Sequence, residues 1–225
     1  MGIATEAGPL VRNDRKVDIA REESIPMEKK ALYRENNGYT LIPFPAGQGE
    51  KYYAECLRKL DPEVARLTGT AQVPPREAVI QHYDRAVSDP DRFDFLIVAP
   101  DGRFIGESVL NELDRDARRA NFRIVIFDRS RFCQGLGSWA AAETVDFAFR
   151  ELGLETLELD VFSFNPRAKH VYDKLGFQET GREALPDCGD NAQDIFMALS
   201  RGRWNALKKW GYPLKKGLTF GGNML

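Results

Sequence analysis

The stretch "IFDRSRFCQGLGSWAAAETVDFAF" (Ile126–Phe149) decides the fold. It leaves an apolar strand pattern, crosses a glycine-containing loop and enters an apolar helix pattern. Gly135 to Ala140 fits G-x-G-x-x-A, a loose dinucleotide fingerprint, yet a glycine loop ahead of a helix can also bind an anion directly. A dinucleotide fold needs its first glycine in a tight turn at the strand end. Here the strand pattern stops near Phe127, and "DRSRFCQ" separates it from Gly135. Asp160, about twenty residues on, sits where a ribose-binding acid would. The context still argues against a dinucleotide, because the loop follows an antiparallel meander and only one strand–helix–strand unit includes it. Direct anion binding fits better. Backbone N–H groups from Phe132 to Ser138 can face one concavity, and the positive end of the following helix adds to the field. Glycine at 135 and 137 removes Cβ atoms that would block close approach. A pyrophosphate suits such a site without a metal.

Downstream, Ala141, Ala142, Val145, Ala148, Phe149 and Leu152 keep one helix face apolar, and Gly153 supplies a left-handed stop. "TLELDVF" (Thr156–Phe162) reads as a strand. In "FNPRAKHVYDKLGF" (Phe164–Phe177), Asn165 is an N-cap, Pro166 the first helical residue and Gly176 the C-cap, with Ala168, Val171, Tyr172 and Leu175 on one face. "FQETGREAL" and "AQDIFMALS" read as two closing strands. Upstream, "FDFLIVA", "RFIGESVLNEL" and "ANFRIVIF" form the meander, the first two joined at Pro100-Asp101-Gly102. "YTLIPF" (Tyr39–Phe44) is a strand. "GQGEKYYAECLRKL" is a helix with Tyr53, Cys56, Leu57 and Leu60 on one side, and "PREAVIQHYDRAV" is a second helix. "PMEKKALYREN" suggests a short helix stopped by "NNG". Lys51 after two glycines lacks the G-K-[ST] ending of a P-loop.

The chain has 225 residues, 43% hydrophobic, with 32 Lys+Arg against 34 Asp+Glu and a net charge of −2. That balance argues against coating nucleic acid or an anionic membrane. Cys56, Cys133 and Cys188, with only His82 and His170 beside them, offer no metal-ligand spacing and no disulfide framework. No apolar run reaches membrane-spanning length and the N-terminus shows no signal-peptide core, so a cytoplasmic location is expected. Residues 1–37 read as a charged N-terminal extension, 38–203 as one domain and 204–225 as a basic, aromatic C-terminal extension. Basic residues among aromatics can bind single-stranded nucleic acid. With an acidic whole, the tail is read instead as aromatics packed on the domain with wet lysines.

The opening stretch, followed by "LELDVFSFNPRAKHVYDKLGF", resembles the GNAT superfamily of N-acetyltransferases, most of all its ribosomal-protein-alanine and spermidine acetyltransferase branch. The resemblance spans roughly Tyr39 to Arg203. It implies an α+β GNAT fold: a central mixed, twisted sheet of about seven strands flanked by helices, antiparallel in its first half, with a parallel β-α-β cofactor unit. It implies acetyl-CoA as co-substrate and no metal. The loop backbone at Phe132, Cys133, Gln134, Gly135, Leu136, Gly137 and Ser138 would bind the pyrophosphate. The preceding strand at Val125, Ile126 and Phe127 would bind the pantetheine arm. Asn165 and its helix neighbour Ala168 would line the other side. Tyr172 corresponds to the family's usual general acid. The chain departs from the family at Phe132, where Gln or Arg is usual, and at Cys133, where Gly is frequent; Arg131 is placed to supply the missing charge.

The implied reaction is direct attack of a neutral amine on the thioester. A phenol is a fitting proton donor to a thiolate of similar basicity. For the base, Glu107 and Asp160 are the candidates, with a structural carboxylate as the ordinary alternative for each. Spacing alone favours a core role for Tyr172, and capping alone explains Asn165. Cys133, at a helix N-terminus, is read as a backbone donor and not as a nucleophile. The expected partner is an amine acceptor: a polyamine-like or aminoglycoside-like amine, an amino acid, or a protein N-terminus. The alternative is a non-catalytic acyl-CoA-binding regulatory protein on the same scaffold. No membrane and no nucleic acid partner are expected, and a homodimer is left open.

Overall fold

The computed structural model describes residues 31–189 and 191–209. Eight strands form one sheet in the order β1-β2-β3-β4-β5-β6-β8-β7. The strands are β1 (Arg34–Asn36), β2 (Tyr39–Pro43), β3 (Phe93–Val98), β4 (Phe104–Asp114), β5 (Arg119–Ile126), β6 (Thr156–Phe162), β7 (Gln178–Ala184) and β8 (Gln193–Ser200). The helices are α1 (Gly49–Tyr52), which runs on into a π-helical turn at Tyr53–Leu57, then α2 (Pro62–Leu67), α3 (Arg76–Ser88), α4 (Leu136–Arg150), α5 (Pro166–Leu175) and α6 (Arg201–Lys209).

Seven strands are those expected from alternation; the eighth is β1. Arg34–Asn36, read as the end of a short helix, is a strand instead, and the earlier part of that helix lies outside the described residues. "NNG" is a hairpin signal and not a helix stop. Asn37 (φ 52°) and Gly38 (φ 79°) are both left-handed, as a two-residue type I′ turn requires, and Asn36 pairs with Tyr39 across it. Similarly, Asp61 accepts from Glu63 N–H (2.8 Å) and Pro62 opens α2, a start signal overlooked in "LDPEVARL".

Alternation along the strands separates two cores. Phe93, Phe95, Ile97, Leu110, Phe122, Leu157 and Leu159 face α4 and α5. The buried Ser108 and Thr144 hydroxyls bond across that interface at 2.8 Å. On the other face, Leu96 and Phe104 meet Tyr52, Cys56, Val79 and Tyr83 from α1, its π-turn and α3. α6 closes the first core. Trp204 is fully buried beside Phe149 and donates its indole N–H to Asp146 at 3.1 Å, and Lys208 pairs with the same carboxylate at 2.5 Å. Trp204 is therefore packed as the aromatic reading of that tail expects, but Lys208 is paired and not left in water. Trp210, Tyr212 and the lysines beyond lie outside the described residues.

The sheet is not continuous in its middle. β5 and β6 run parallel and pair only at Arg119↔Thr156, Ala120↔Leu157 and Asn121↔Glu158. Beyond this, β5 stays paired with β4 and β6 with β8, while no ladder joins β5 to β6. The two strands splay, and the gap opens toward the loop that precedes α4.

Candidate active site

The loop is built locally. After Phe127, whose N–H donates to Ile105 (2.8 Å), Asp128 accepts from the Ser130 N–H (3.0 Å) and shapes a 3-10 turn over Arg129–Arg131. Gln134 donates back to the Ser130 carbonyl at 2.9 Å and closes the loop. Cys133 (φ 60°) and Gly135 (φ 78°) are both left-handed. Left-handed residues alternating with right-handed ones turn successive N–H groups to one side. The Phe132 N–H is committed to Arg129 at 3.1 Å. Among the described residues, no carbonyl or side chain takes the N–H of Cys133, Gln134 or Gly135, and those of Leu136, Gly137 and Ser138 begin the helix, before any i−4 partner. Six donors are thus unclaimed among the described residues at the positive end of a fifteen-residue helix.

Gly137 has no structural reason to be glycine. A Cβ there would meet only Ile126 Cγ1 at 3.8 Å, an ordinary contact. What glycine leaves open is the concavity itself, as an incoming phosphate needs. These residues fit the pyrophosphate of acetyl-CoA. The loop's cations are also placed: Arg167 of α5 lies 3.9 Å over the Phe132 ring. Arg131 turns to the Tyr39 hydroxyl (2.7 Å) and Asp128 (3.6 Å).

Val125, Ile126 and Phe127 are half-buried along the gap. Because Phe127 donates to β4, ladder alternation turns the N–H and C=O of Ile126, and of Ile124 before it, away from β4 toward the gap. β5 lies close against β4 here because Gly106 opposes Ile126, and a Cβ at 106 would stand 2.6 Å from the Val125 carbonyl oxygen.

Across the gap, α5 carries the expected cap: Asn165 Oδ1 accepts from Ala168 N–H (3.2 Å), and its Nδ2 donates to Leu67 of α2 (3.5 Å). Ala168 packs half-buried on the core. Tyr172 is 5% exposed, its ring edge-on to Phe122 and Phe177. Among the described residues its hydroxyl has no hydrogen-bond partner. Burial pushes its pKa well above that of a free phenol, Asp160 adds to this, and Arg123 opposes it.

Glu107 faces the other side of the sheet. It is 8% exposed and accepts a 2.5 Å hydrogen bond from the Tyr52 hydroxyl; the Arg123 guanidinium stands 3.8 Å away. Burial raises its pKa above the ordinary carboxylate range, while Arg123 and the Tyr52 bond pull it down. The same burial and the Glu107 charge hold the Tyr52 phenol protonated. Tyr52 was not anticipated. Helical periodicity favours Tyr53, Cys56, Leu57 and Leu60, but Tyr52 and Cys56 are the buried pair, and Tyr53 and Leu57 only lean on the core. The usable signal was Glu107 itself, since an acid inside the buried run "FIGESVL" must find a donor. Arg123 was legible as the one charge in "ANFRIVIF". Beside Phe127 a cleft of about 430 Å³ opens between the π-turn and the loop, lined by Cys56, Phe104, Asp128 and Arg129 among others.

Glu63 pairs with Arg66 (2.9 Å), His170 is exposed, and Asp187 sits on an exposed turn. Asp190 is outside the described residues. No group of three or more metal-ligating side chains occurs among the described residues, and no described helix is long and apolar enough to cross a membrane.

The pattern of the acetyltransferase (GNAT) domain family matches residues 41–178, more than half of the chain. The chain belongs to the GNAT acetyltransferase family. It is similar to the spermidine N(1)-acetyltransferase of Escherichia coli K12, with 36% identity over 110 residues, 48% of this chain and 58% of that enzyme. It also matches the spermidine N(1)-acetyltransferase of Vibrio cholerae, 28% identical over 99 residues, 44% of this chain and 57% of the relative. The chain thus spans somewhat over half the length of these curated relatives. A solved structure of spermidine N-acetyltransferase from Vibrio cholerae in complex with CoA and spermine shares the fold. Its TM-score is 0.65 at 20% identity, covering 76% of this chain and 99% of that one. This GNAT chain thus has the expected α+β fold, with a mixed sheet and the parallel β5–α4–β6 unit.

Proposed function

We propose that this GNAT protein transfers the acetyl group of acetyl-CoA to a primary amine by direct attack within a ternary complex. The observation that carries the reading is the gap between β5 and β6. It runs from six unclaimed N–H groups at the α4 N-terminus toward Tyr172 on one face and Glu107 on the other. The names of the spermidine acetyltransferase relatives support an amine acceptor.

In this reading the N–H groups of Cys133 to Ser138 hold the pyrophosphate, and the gap-facing backbone of Ile124 and Ile126, with Val125 and Phe127, holds the pantetheine arm. Asn165 and Ala168 form the far wall. Backbone N–H groups on β5 are the donors available to polarise the thioester carbonyl. The amine nitrogen attacks that carbon, the C–S bond breaks, and CoA leaves as a thiolate. Glu107 takes the proton that the amine loses. Tyr172, which burial makes a weaker acid than the matched phenol expected from the sequence, gives its proton to the thiolate and recovers one from solvent. The products are an N-acetylated amine and CoA thiol. Cys133 contributes its backbone; its left-handed conformation shows why glycine is frequent at that family position.

Calorimetry with acetyl-CoA, followed by a free-thiol release assay across an amine panel, tests the reading. The expected result is binding, and thiol release only with amine present. Binding without release for every amine would make the protein a CoA-binding module. A burst of covalent acetyl-enzyme would put Cys133 in the mechanism and overturn direct attack.

A further inference from the structure

Arg123 lies two residues past Asn121, the last residue of β5 that pairs with β6. It projects from the same face as Glu107, since Val109, opposite it, and Glu107 lie on one side of β4. Its side chain is 55% exposed, its one ion contact is Glu107 at 3.8 Å, and it donates no hydrogen bond among the described residues. The contact engages one Glu107 oxygen while Tyr52 holds the other, so most of the guanidinium's five donors remain available. Its field reaches both proposed proton-transfer groups, Glu107 and Tyr172. Asp94, which like Arg123 pairs with Val109, and the two acids of α2 are engaged elsewhere. Asp94 forms a two-bond pair with Arg92 (2.9 Å each), Glu63 does the same with Arg66 (2.9 and 3.0 Å), and Asp61 caps α2. Across the gap Asp160 shares this face, two residues past Glu158 as Arg123 is two past Asn121, so beside the reacting centre a guanidinium with open donors stands with two acids, Glu107 and Asp160.

We infer that Arg123 is a specificity-determining residue that holds an anionic group of the acceptor, so that the preferred acceptor is a primary amine bearing an oxyanion a few atoms away, as in an amino acid. This rests on the acetyl-transfer reading and deepens it. A planar guanidinium with free donors binds a carboxylate or phosphate through two parallel hydrogen bonds. Holding that end would place the amine between Glu107 and the thioester, whereas a second ammonium would be repelled.

The test uses the full chain with saturating acetyl-CoA and reads thiol release for γ-aminobutyrate, O-phosphoethanolamine and 1,4-diaminobutane, in the unaltered protein and in Arg123→Gln. The expected result is a kcat/KM about tenfold or more higher for an anionic acceptor than for the diamine. Arg123→Gln should remove that preference mainly through KM for the anionic acceptors, while the diamine loses only the part of kcat/KM that the raised Glu107 pKa takes, a loss that closes at higher pH. The two anionic arms separate a carboxylate from a phosphate. A diamine preference in the unaltered protein, or an equal fall for all acceptors in Arg123→Gln, would overturn the inference and leave Arg123 as a support for Glu107. If no amine releases thiol, the acetyl-transfer reading fails by itself. Calorimetry of γ-aminobutyrate and of O-phosphoethanolamine into the acetyl-CoA-loaded protein then decides the anion site: binding of either that is lost in Arg123→Gln supports it, and no binding of either overturns it.

Discussion

Gly106→Ala tests the link between sheet packing and the cofactor groove. The added Cβ would stand 2.6 Å from the Val125 carbonyl oxygen, with Ile126 Cδ1 at 3.0 Å and Ile97 Cδ1 at 3.1 Å. Ordinary contact begins at 3.4 Å, so the shortfall against Val125 is about 0.8 Å. The two isoleucine tips can rotate, but the carbonyl is backbone. β3 is paired to β4 on one side and cannot yield, whereas β5 beyond Asn121 has no paired strand on its far side among the described residues. The strand should therefore move into the gap at the residues proposed to hold the pantetheine arm. Forcing extra volume into a packed site costs about 1–3 kcal/mol, and a displacement near 1 Å at a reacting site can cost about 100-fold in rate. We expect a lower urea midpoint with an unchanged m-value and acetyl-CoA affinity weakened by about tenfold or more in calorimetry. A variant whose stability stays within about 0.5 kcal/mol, the scatter of an innocuous surface change, and whose acetyl-CoA affinity is unchanged would refute the reasoning.

Gly137→Ala is the complementary case: the protein has room for the methyl, so the helix should gain up to about 1 kcal/mol while acetyl-CoA binding weakens; tighter or equal binding would remove the phosphate explanation for that glycine. Tyr172→Phe keeps the ring packing and removes a hydroxyl with no bond to lose, so urea stability and acetyl-CoA affinity should hold while kcat falls about 10²–10⁴-fold; an unchanged kcat across several pH values would return Tyr172 to the core. Tyr52→Phe deletes the bond that favours ionised Glu107. The carboxyl pKa should rise, less base is ionised at a given pH, and the acid limb of the kcat/KM profile should move to higher pH; an unmoved limb would show that Glu107 is not the base. Asp146→Ala strands the buried Trp204 N–H, a loss of about 1–3 kcal/mol at neutral pH. Burial pushes the Asp146 pKa up, but the bonds from Lys208 and Trp204 prevail and lower it. Its stabilisation is therefore present above the unfolded carboxyl pKa of about 3.9 and is lost as pH falls through the lower folded value. The stability gap between variant and parent in urea melts should close in strong acid, and a constant gap would contradict the assignment.

Where function depended on local rules, it could be read directly. The cap-and-stop chemistry of α5, with Asn165, Pro166 and Gly176, depends on neighbours within one or two turns, and each residue takes its expected position. The loop from Phe132 to Ser138 was legible because a glycine pattern, a strand end and a helix start lie in one short span. Reading failed where two local rules competed. "NNG" stops helices and also turns hairpins, and only the pairing of β1 with β2 selects the second. The first helix failed differently, since its π-helical turn shifts the buried set onto Tyr52 and Cys56.

By itself, then, the sequence determined the seven strands from β2 on, the helices α1, α3, α4 and α5 in order between them, the glycine loop before α4 and the caps of α5. All of these follow from backbone propensity and side-chain period over a few residues. Tertiary structure alone decided that β5 and β6 part after three paired residues, that Tyr52 reaches Glu107 across fifty-five positions, and that Arg123 stands beside Glu107 with donors to spare. Those are contacts between distant segments, fixed by which strands pair and how far, and no local period encodes the length of a ladder.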